Sequence, residues 1–176
     1  EVRRARIVKV AKKDDLVVLE LSEAFPDSYA IPFEGMIDPN TGRSAVIMGF
    51  PLAGMLGWRQ PSLTEGIVSK DSGLQDNPGT FLITSKMNKG NSGGPIFDRR
   101  GNLIGVAVAK LDKSAVYEEK GHLPEDVNIA IKISRLLSFL NRPANEDNRS
   151  TAPEYSLEEL YQVMLAKVVL IAAVAK

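Results

Sequence analysis

The chain has 176 residues, 44% of them hydrophobic, and its 22 Lys and Arg are balanced by 22 Asp and Glu. This size suits one domain, or one domain with an appendage, around a real core. The neutral balance sets up no field toward nucleic acid or an anionic membrane. With no cysteine and a single histidine, disulfides, a thiol nucleophile and thiolate metal sites are excluded, and zinc would have to rest on carboxylates.

In chain order, Arg6-Ile7-Val8-Lys9-Val10 is strand-like and follows no targeting segment. The expectation is an excerpt or processed form of a longer protein. Residues 16–21 are a β-rich apolar run. Pro26, Pro32, Pro39 and Gly42 punctuate a connector over 24–43. Short apolar runs then follow at 45–49, 64–68, 80–84, 95–97, 103–109 and 127–133. Breakers at 71–73, 77–79 and 99–102 separate some of them. Six short strands at this spacing predict an antiparallel sandwich or barrel. The long helices of a βαβ sheet are missing between them.

Residues 134–140 predict a short helix that closes the barrel, and 141–153 a polar linker. Ser156-Leu157-Glu158-Glu159 fits a capping box. Beyond it Leu157, Leu160, Tyr161, Met164, Val168 and Ile171 recur at helical spacing, predicting a tail helix over 154–176. Its stripe must be buried on the barrel, on another subunit or on sequence outside this chain. The apolar run 163–175 is interrupted by Lys167 and is too short to span a bilayer. No basic cluster with interleaved aromatics suggests a nucleic-acid partner, and no metal or other cofactor is expected.

The chemistry concentrates in Gly90-Asn91-Ser92-Gly93-Gly94-Pro95. Glycines around one serine let the backbone take unusual φ/ψ values and turn N–H groups inward. An attacking hydroxyl needs such donors beside it to hold a developing oxyanion. The run also fits G-x-S-x-G, the nucleophile elbow of α/β-hydrolases, which requires a helix directly after the serine. Pro95-Ile96-Phe97-Asp98 and the turn at 99–102 predict a β-hairpin instead, which disfavours an esterase of that type.

Six separated segments resemble trypsin-like serine peptidases, and within them the bacterial HtrA-like branch. They are Asp15-Leu16-Val17-Val18-Leu19, Met48-Gly49-Phe50-Pro51-Leu52, Thr64-Glu65-Gly66-Ile67-Val68-Ser69, Gly90 to Pro95, Gly101-Asn102-Leu103-Ile104-Gly105-Val106 and Asn128-Ile129-Ala130-Ile131. Matching order over residues 6–140 carries the resemblance, and the tail lies outside it. It implies an all-β chymotrypsin/trypsin-like double β-barrel. Residues 1–23 would be the remnant of an incomplete first barrel, 24–43 the inter-barrel connector, and 44–140 the second barrel with its closing helix. The linker over 141–153 and the C-terminal helical tail over 154–176 complete the division.

By the same resemblance Ser92 is the acyl-forming nucleophile, and the N–H groups of Gly90 and Ser92 form the oxyanion hole. Asp15 orients a histidine; Asp14 is adjacent, but strand alternation and the register of Leu16 and Val18 favour Asp15. The primary pocket is expected near Gly105, Val106, Ala107, Asn128 and Ala130, with an extended polypeptide substrate added as a strand against 103–109. A homo-oligomer, trimeric by resemblance, and a secreted or periplasmic location are implied.

The departure is the base. In the family the histidine precedes the aspartate, whereas here His122 is the only one and follows the nucleophile. It reads as a loop residue. Lys86 and Lys89 read as solvated charges, since a lysine base needs burial. The expected function is a serine endopeptidase whose histidine lies upstream, the 176 residues alone being feeble or inactive. The alternative is a pseudopeptidase that binds or senses peptides without turnover.

Overall fold

The computed structural model describes residues 2–108, 128–143 and 153–173. Strands β1 (Ala5–Ala11) and β2 (Leu16–Leu21) pair antiparallel as a hairpin with a turn at residues 12–15. They form a separate two-stranded sheet on which Ile7, Val8, Val10 and Val17 are exposed. An isolated hairpin of this kind is marginal in water, so this first sheet is incomplete.

The connector makes two 3-10 turns, Asp27–Tyr29 and Phe33–Gly35, entered from Pro26 and Pro32. Each proline presets the φ at its turn's start. The chain then joins the barrel where Ile37 N–H donates to the Leu103 carbonyl at 3.1 Å.

Strands β3 (Ser44–Gly49), β4 (Ser62–Lys70), β5 (Thr80–Ile83), β6 (Pro95–Phe97), β7 (Leu103–Ala107) and β8 (Asn128–Lys132) form a closed barrel in the order β3-β4-β5-β8-β7-β6. One helical turn, α1 (Ala53–Leu56), lies between β3 and β4. Helix α2 (Ile133–Phe139) follows β8, and helix α3 (Leu157–Met164) lies in the tail.

Strand alternation sorts the apolar residues into two cores. Ala45, Ile47, Phe81, Ile83, Ile96 and Ile104 belong to one, the barrel interior. Val46, Met48, Phe97 and Leu103 point the other way and pack with Ile133 and Leu137 of α2 and Leu160 and Met164 of α3. This is why β3 is apolar from Ala45 onward: both its faces are covered there. The tail therefore buries its stripe on the barrel of its own chain. Each such aliphatic side chain contributes about 1.5–3 kcal/mol on burial.

Ser156 caps α3 in a full capping box with Glu159. The helix is shorter than the periodicity predicts. It tightens into a 3-10 turn at Leu165–Lys167, Val168 is extended, and Ile171 is exposed. The β-branched pair Val168-Val169 disfavours helix, and Lys167 Nζ donates to the Ser28 and Ala30 carbonyls, both at 2.8 Å. The tail thus follows the connector.

Candidate active site

Ser92 is exposed on the loop between β5 and β6. Hydrogen bonds hold that loop on both flanks. Asn91 N–H donates to the Asn88 carbonyl, Gly94 N–H to the Asn91 carbonyl and Gly93 N–H to the Ala107 carbonyl, at 3.0, 3.0 and 2.8 Å. The N–H groups of Gly90 and Ser92 have no acceptor among the described residues. Of the five N–H groups in the hexapeptide, the two expected for an oxyanion hole are the two left unengaged.

Gly90 has φ +104°, and a Cβ there would stand 2.4 Å from the Phe50 carbonyl oxygen. Leu52 N–H donates to the Lys89 carbonyl at 2.9 Å. The Met48 to Leu52 segment thus forms the wall against which the serine loop is folded, and the missing Cβ of Gly90, like that of Gly94 against the Met48 carbonyl oxygen, permits that approach.

Asp15 lies in the β1–β2 turn with φ +51° and is exposed. Strand alternation does not choose between Asp14 and Asp15, because both belong to the turn and neither to a strand. Instead the neighbours separate them. Asp14 Oδ1 accepts from Arg135 Nε at 2.7 Å, which ties the turn to α2. The Asp15 carboxylate and the Ser92 hydroxyl make no hydrogen bond among the described residues.

The expected pocket residues are mostly packed. Ala107 and Ala130 sit in the barrel interior. A Cβ on Gly105 would come within 2.6 Å of the Phe81 ring. The Asn128 amide donates to the Ser85 carbonyl at 2.8 Å, while Val106 is half-buried. Strand β7 carries β6 on one edge and β8 on the other. A substrate strand therefore finds no free edge along Leu103–Ala107, because pairing saturates those backbone groups. Lys86 and Lys89 are exposed, which removes the burial a lysine base requires. His122 lies outside the described residues.

Asp98 is a buried group whose role is signalled in the sequence. Asp98 accepts from the N–H groups of Arg100 and Asn102, from the Asn102 amide and, at 2.7 Å, from Arg43. An aspartate opening the turn Asp98-Arg99-Arg100-Gly101-Asn102 is an Asx-turn pattern. It fixes the β6–β7 hairpin directly after the serine loop. No group of His, Cys, Asp and Glu able to hold a metal occurs among the described residues.

The segment after Ser92 is strand β6, not a helix, so the hydrolase elbow does not apply. The family model of the trypsin-like peptidase domain matches residues 1–106. The chain belongs to the trypsin-like peptidase family. It is similar to the serine endoprotease DegS of Escherichia coli, 32% identical over 132 residues, covering 73% of this chain and 34% of that protein. It is 34% identical over 136 residues to an uncharacterized protein y4bJ of Sinorhizobium fredii, covering 77% of this chain and 21% of that one. The serine endoprotease of Yersinia pestis superposes with a TM-score of 0.61 at 23% identity over 80% of this chain and 44% of that one, a likeness of fold. These relatives support the HtrA-like branch. The chain spans about a fifth to a third of the length of the relatives it matches by sequence. The fold is all-β, with an incomplete first sheet, a closed second barrel and a helical tail.

Proposed function

We propose that this peptidase domain belongs to a serine endopeptidase that cleaves polypeptides through an acyl-enzyme, with its triad histidine supplied by sequence outside this chain. The observation that carries the reading is the pair of unengaged N–H groups at Gly90 and Ser92 beside an exposed serine hydroxyl. Ser92 Oγ attacks the scissile carbonyl and its proton passes to the histidine. The new oxyanion accepts from Gly90 and Ser92, an arrangement in which one donor is worth about 10²–10³ in rate. The proton then goes to the leaving amine, and water releases the acyl group by the same steps.

In this reading Asp15 stabilises the imidazolium, and its turn is held by the Asp14–Arg135 pair. Further strands cover the exposed face of the β1–β2 hairpin. Because β7 is paired on both edges, the acyl half of the substrate lies beyond Ala107. The primary pocket is assigned to the neighbourhood of Gly105, Val106, Ala107, Asn128 and Ala130, where only Val106 is more than marginally exposed. A periplasmic or secreted site and a trimer are carried over from the HtrA-like branch.

The test is fluorophosphonate labelling of the intact protein. Labelling that is lost in Ser92→Ala supports the reading, and a folded intact protein that takes no label overturns it. The second reading, a peptide-binding pseudopeptidase, is favoured by one observation: the chain's only histidine follows the serine. It predicts saturable peptide binding by the intact protein without labelling or turnover.

A further inference from the structure

Two residues connect the serine loop with the tail. The Met48 and Phe50 side chains lie in the buried cluster that also holds Leu160, Met164 and Val168 of the tail. Their carbonyl oxygens press on the serine loop. The Phe50 oxygen occupies the space that a Cβ on Gly90 would need, and the Met48 oxygen the space that a Cβ on Gly94 would need. These two glycines bracket Ser92. The backbone that shapes the oxyanion donors is therefore seated on residues whose side chains share a core with the tail.

The tail is also fastened on both sides of this seat. On one side the Tyr161 hydroxyl donates to the Pro61 carbonyl at 3.0 Å. That bond closes the segment by which the chain leaves Phe50, and Ala53 and Leu63 from that region pack on the same core. On the other side Tyr155 N–H donates to the Arg99 carbonyl at 2.8 Å, and the Arg99 guanidinium donates back to the Tyr155 carbonyl at 3.1 Å. Gly101 has φ +79° and lies so close to the tail that a Cβ there would stand 2.8 Å from Met164 Cε. Arg99 and Gly101 belong to the hairpin turn that follows the serine loop.

We infer that the tail over residues 154–168 is a strap that positions the serine loop through Met48 and Phe50, so that the reactivity of Ser92 depends on the tail being docked. This rests on the endopeptidase reading above and adds a means of regulating the same site. A close-packed core passes a displacement on instead of absorbing it. A shift of about 1 Å at a reacting group can cost about a hundredfold in rate. Leu160 and Tyr161 are then positioning residues, and a displaced tail becomes a slower serine.

The test uses the intact protein and reads labelling and hydrogen exchange together. Leu160 is fully buried, and Leu160→Ala loosens the tail within the shared core. The maximal rate of fluorophosphonate labelling is expected to fall about ten- to a hundredfold, with reagent affinity unchanged. The N–H groups of Gly93 and Gly94, bonded to the Ala107 and Asn91 carbonyls, should exchange faster. Those of Val68 and Thr84, bonded to the Arg43 and Ile67 carbonyls elsewhere in the barrel, should keep their protection. Leu160→Met nearly conserves volume and should restore both readouts. Tyr161→Phe keeps the ring, removes only the bond to Pro61 and should give a milder form of the same pattern. It decides the matter where Leu160→Ala does not fold. Wild-type labelling and exchange in the folded Leu160→Ala protein, or failing that in Tyr161→Phe, overturn the inference. So does an equal loss of protection at all four amides, which is lost stability alone. A wild type that takes no label defeats the endopeptidase reading, while exchange at Gly93 and Gly94 still tests the strap. Labelling indifferent to both tail variants defeats the strap and leaves the endopeptidase reading standing.

Discussion

The carboxylate of Asp14 and the guanidinium of Arg135 meet at 2.7 Å across 121 positions of sequence, joining the first hairpin to the helix that follows the barrel. The pair is part-exposed, so its own contribution to stability is about 1 kcal/mol or less. Under the proposed function its value is positional, because Asp15 is the next residue. Arg135→Met is expected to change the melting temperature of the intact protein by only a few degrees. Labelling of Ser92 should slow by about ten- to a hundredfold, the scale of a displaced catalytic group. Parallel modest losses in both measurements would mean the pair is merely structural.

Gly90→Ala tests the wall behind the serine loop. The added methyl would collide with the Phe50 carbonyl oxygen, and φ +104° is strained for alanine. Displacing the Gly90 N–H should cost about 10²–10³ in acylation rate, read from the kinetics of fluorophosphonate labelling. Gly93→Ala meets no atom within 4 Å and carries only the backbone strain of its φ +80°. It should fold normally and label faster than Gly90→Ala.

Asp98→Ala removes a nearly buried carboxylate with four donors and leaves the Arg43 guanidinium without its ion-pair partner. Breaking a buried pair from one side costs about 3–5 kcal/mol. Urea unfolding of the intact protein should show a loss of that size in the transition of the second barrel. A change under 1 kcal/mol would show that the hairpin turn holds without this carboxylate.

The capping box of α3 should make tail docking acid-sensitive. The Ser156 backbone N–H, then its hydroxyl, hold the Glu159 carboxyl below the usual carboxylate range. A depressed folded-state pKa stabilises the fold above the unfolded pKa, and that contribution fades as pH falls through the folded value. The Glu159→Gln variant should therefore melt below the wild type at neutral pH, and the gap should narrow under acid. A gap independent of pH between 7 and 3 would show that the charge at Glu159 plays no part.

Much of the second barrel was readable from local chemistry. Short apolar runs bounded by Gly, Pro, Asn and Asp mark strand positions whatever they pack against, and the runs around residues 45–49, 80–84 and 95–97 correspond to β3, β5 and β6. Ser156 and Glu159 announce the start of α3 because a capping box is satisfied within four residues. The glycine-flanked serine stands out for the same reason, since its turn chemistry is local.

Contacts between distant segments left no such trace. Nothing in the order of residues says that the Phe50 carbonyl lies against Gly90, that Arg135 takes Asp14 and leaves Asp15, or that both edges of β7 are filled. The tail's landing place is of the same kind: an amphipathic stripe states that a face must be covered, and only the packed barrel names Val46, Met48 and Phe97 as the cover. Hydrogen bonds within a turn are specified by neighbours along the chain, whereas burial and ion pairing depend on which surfaces the closed fold brings together.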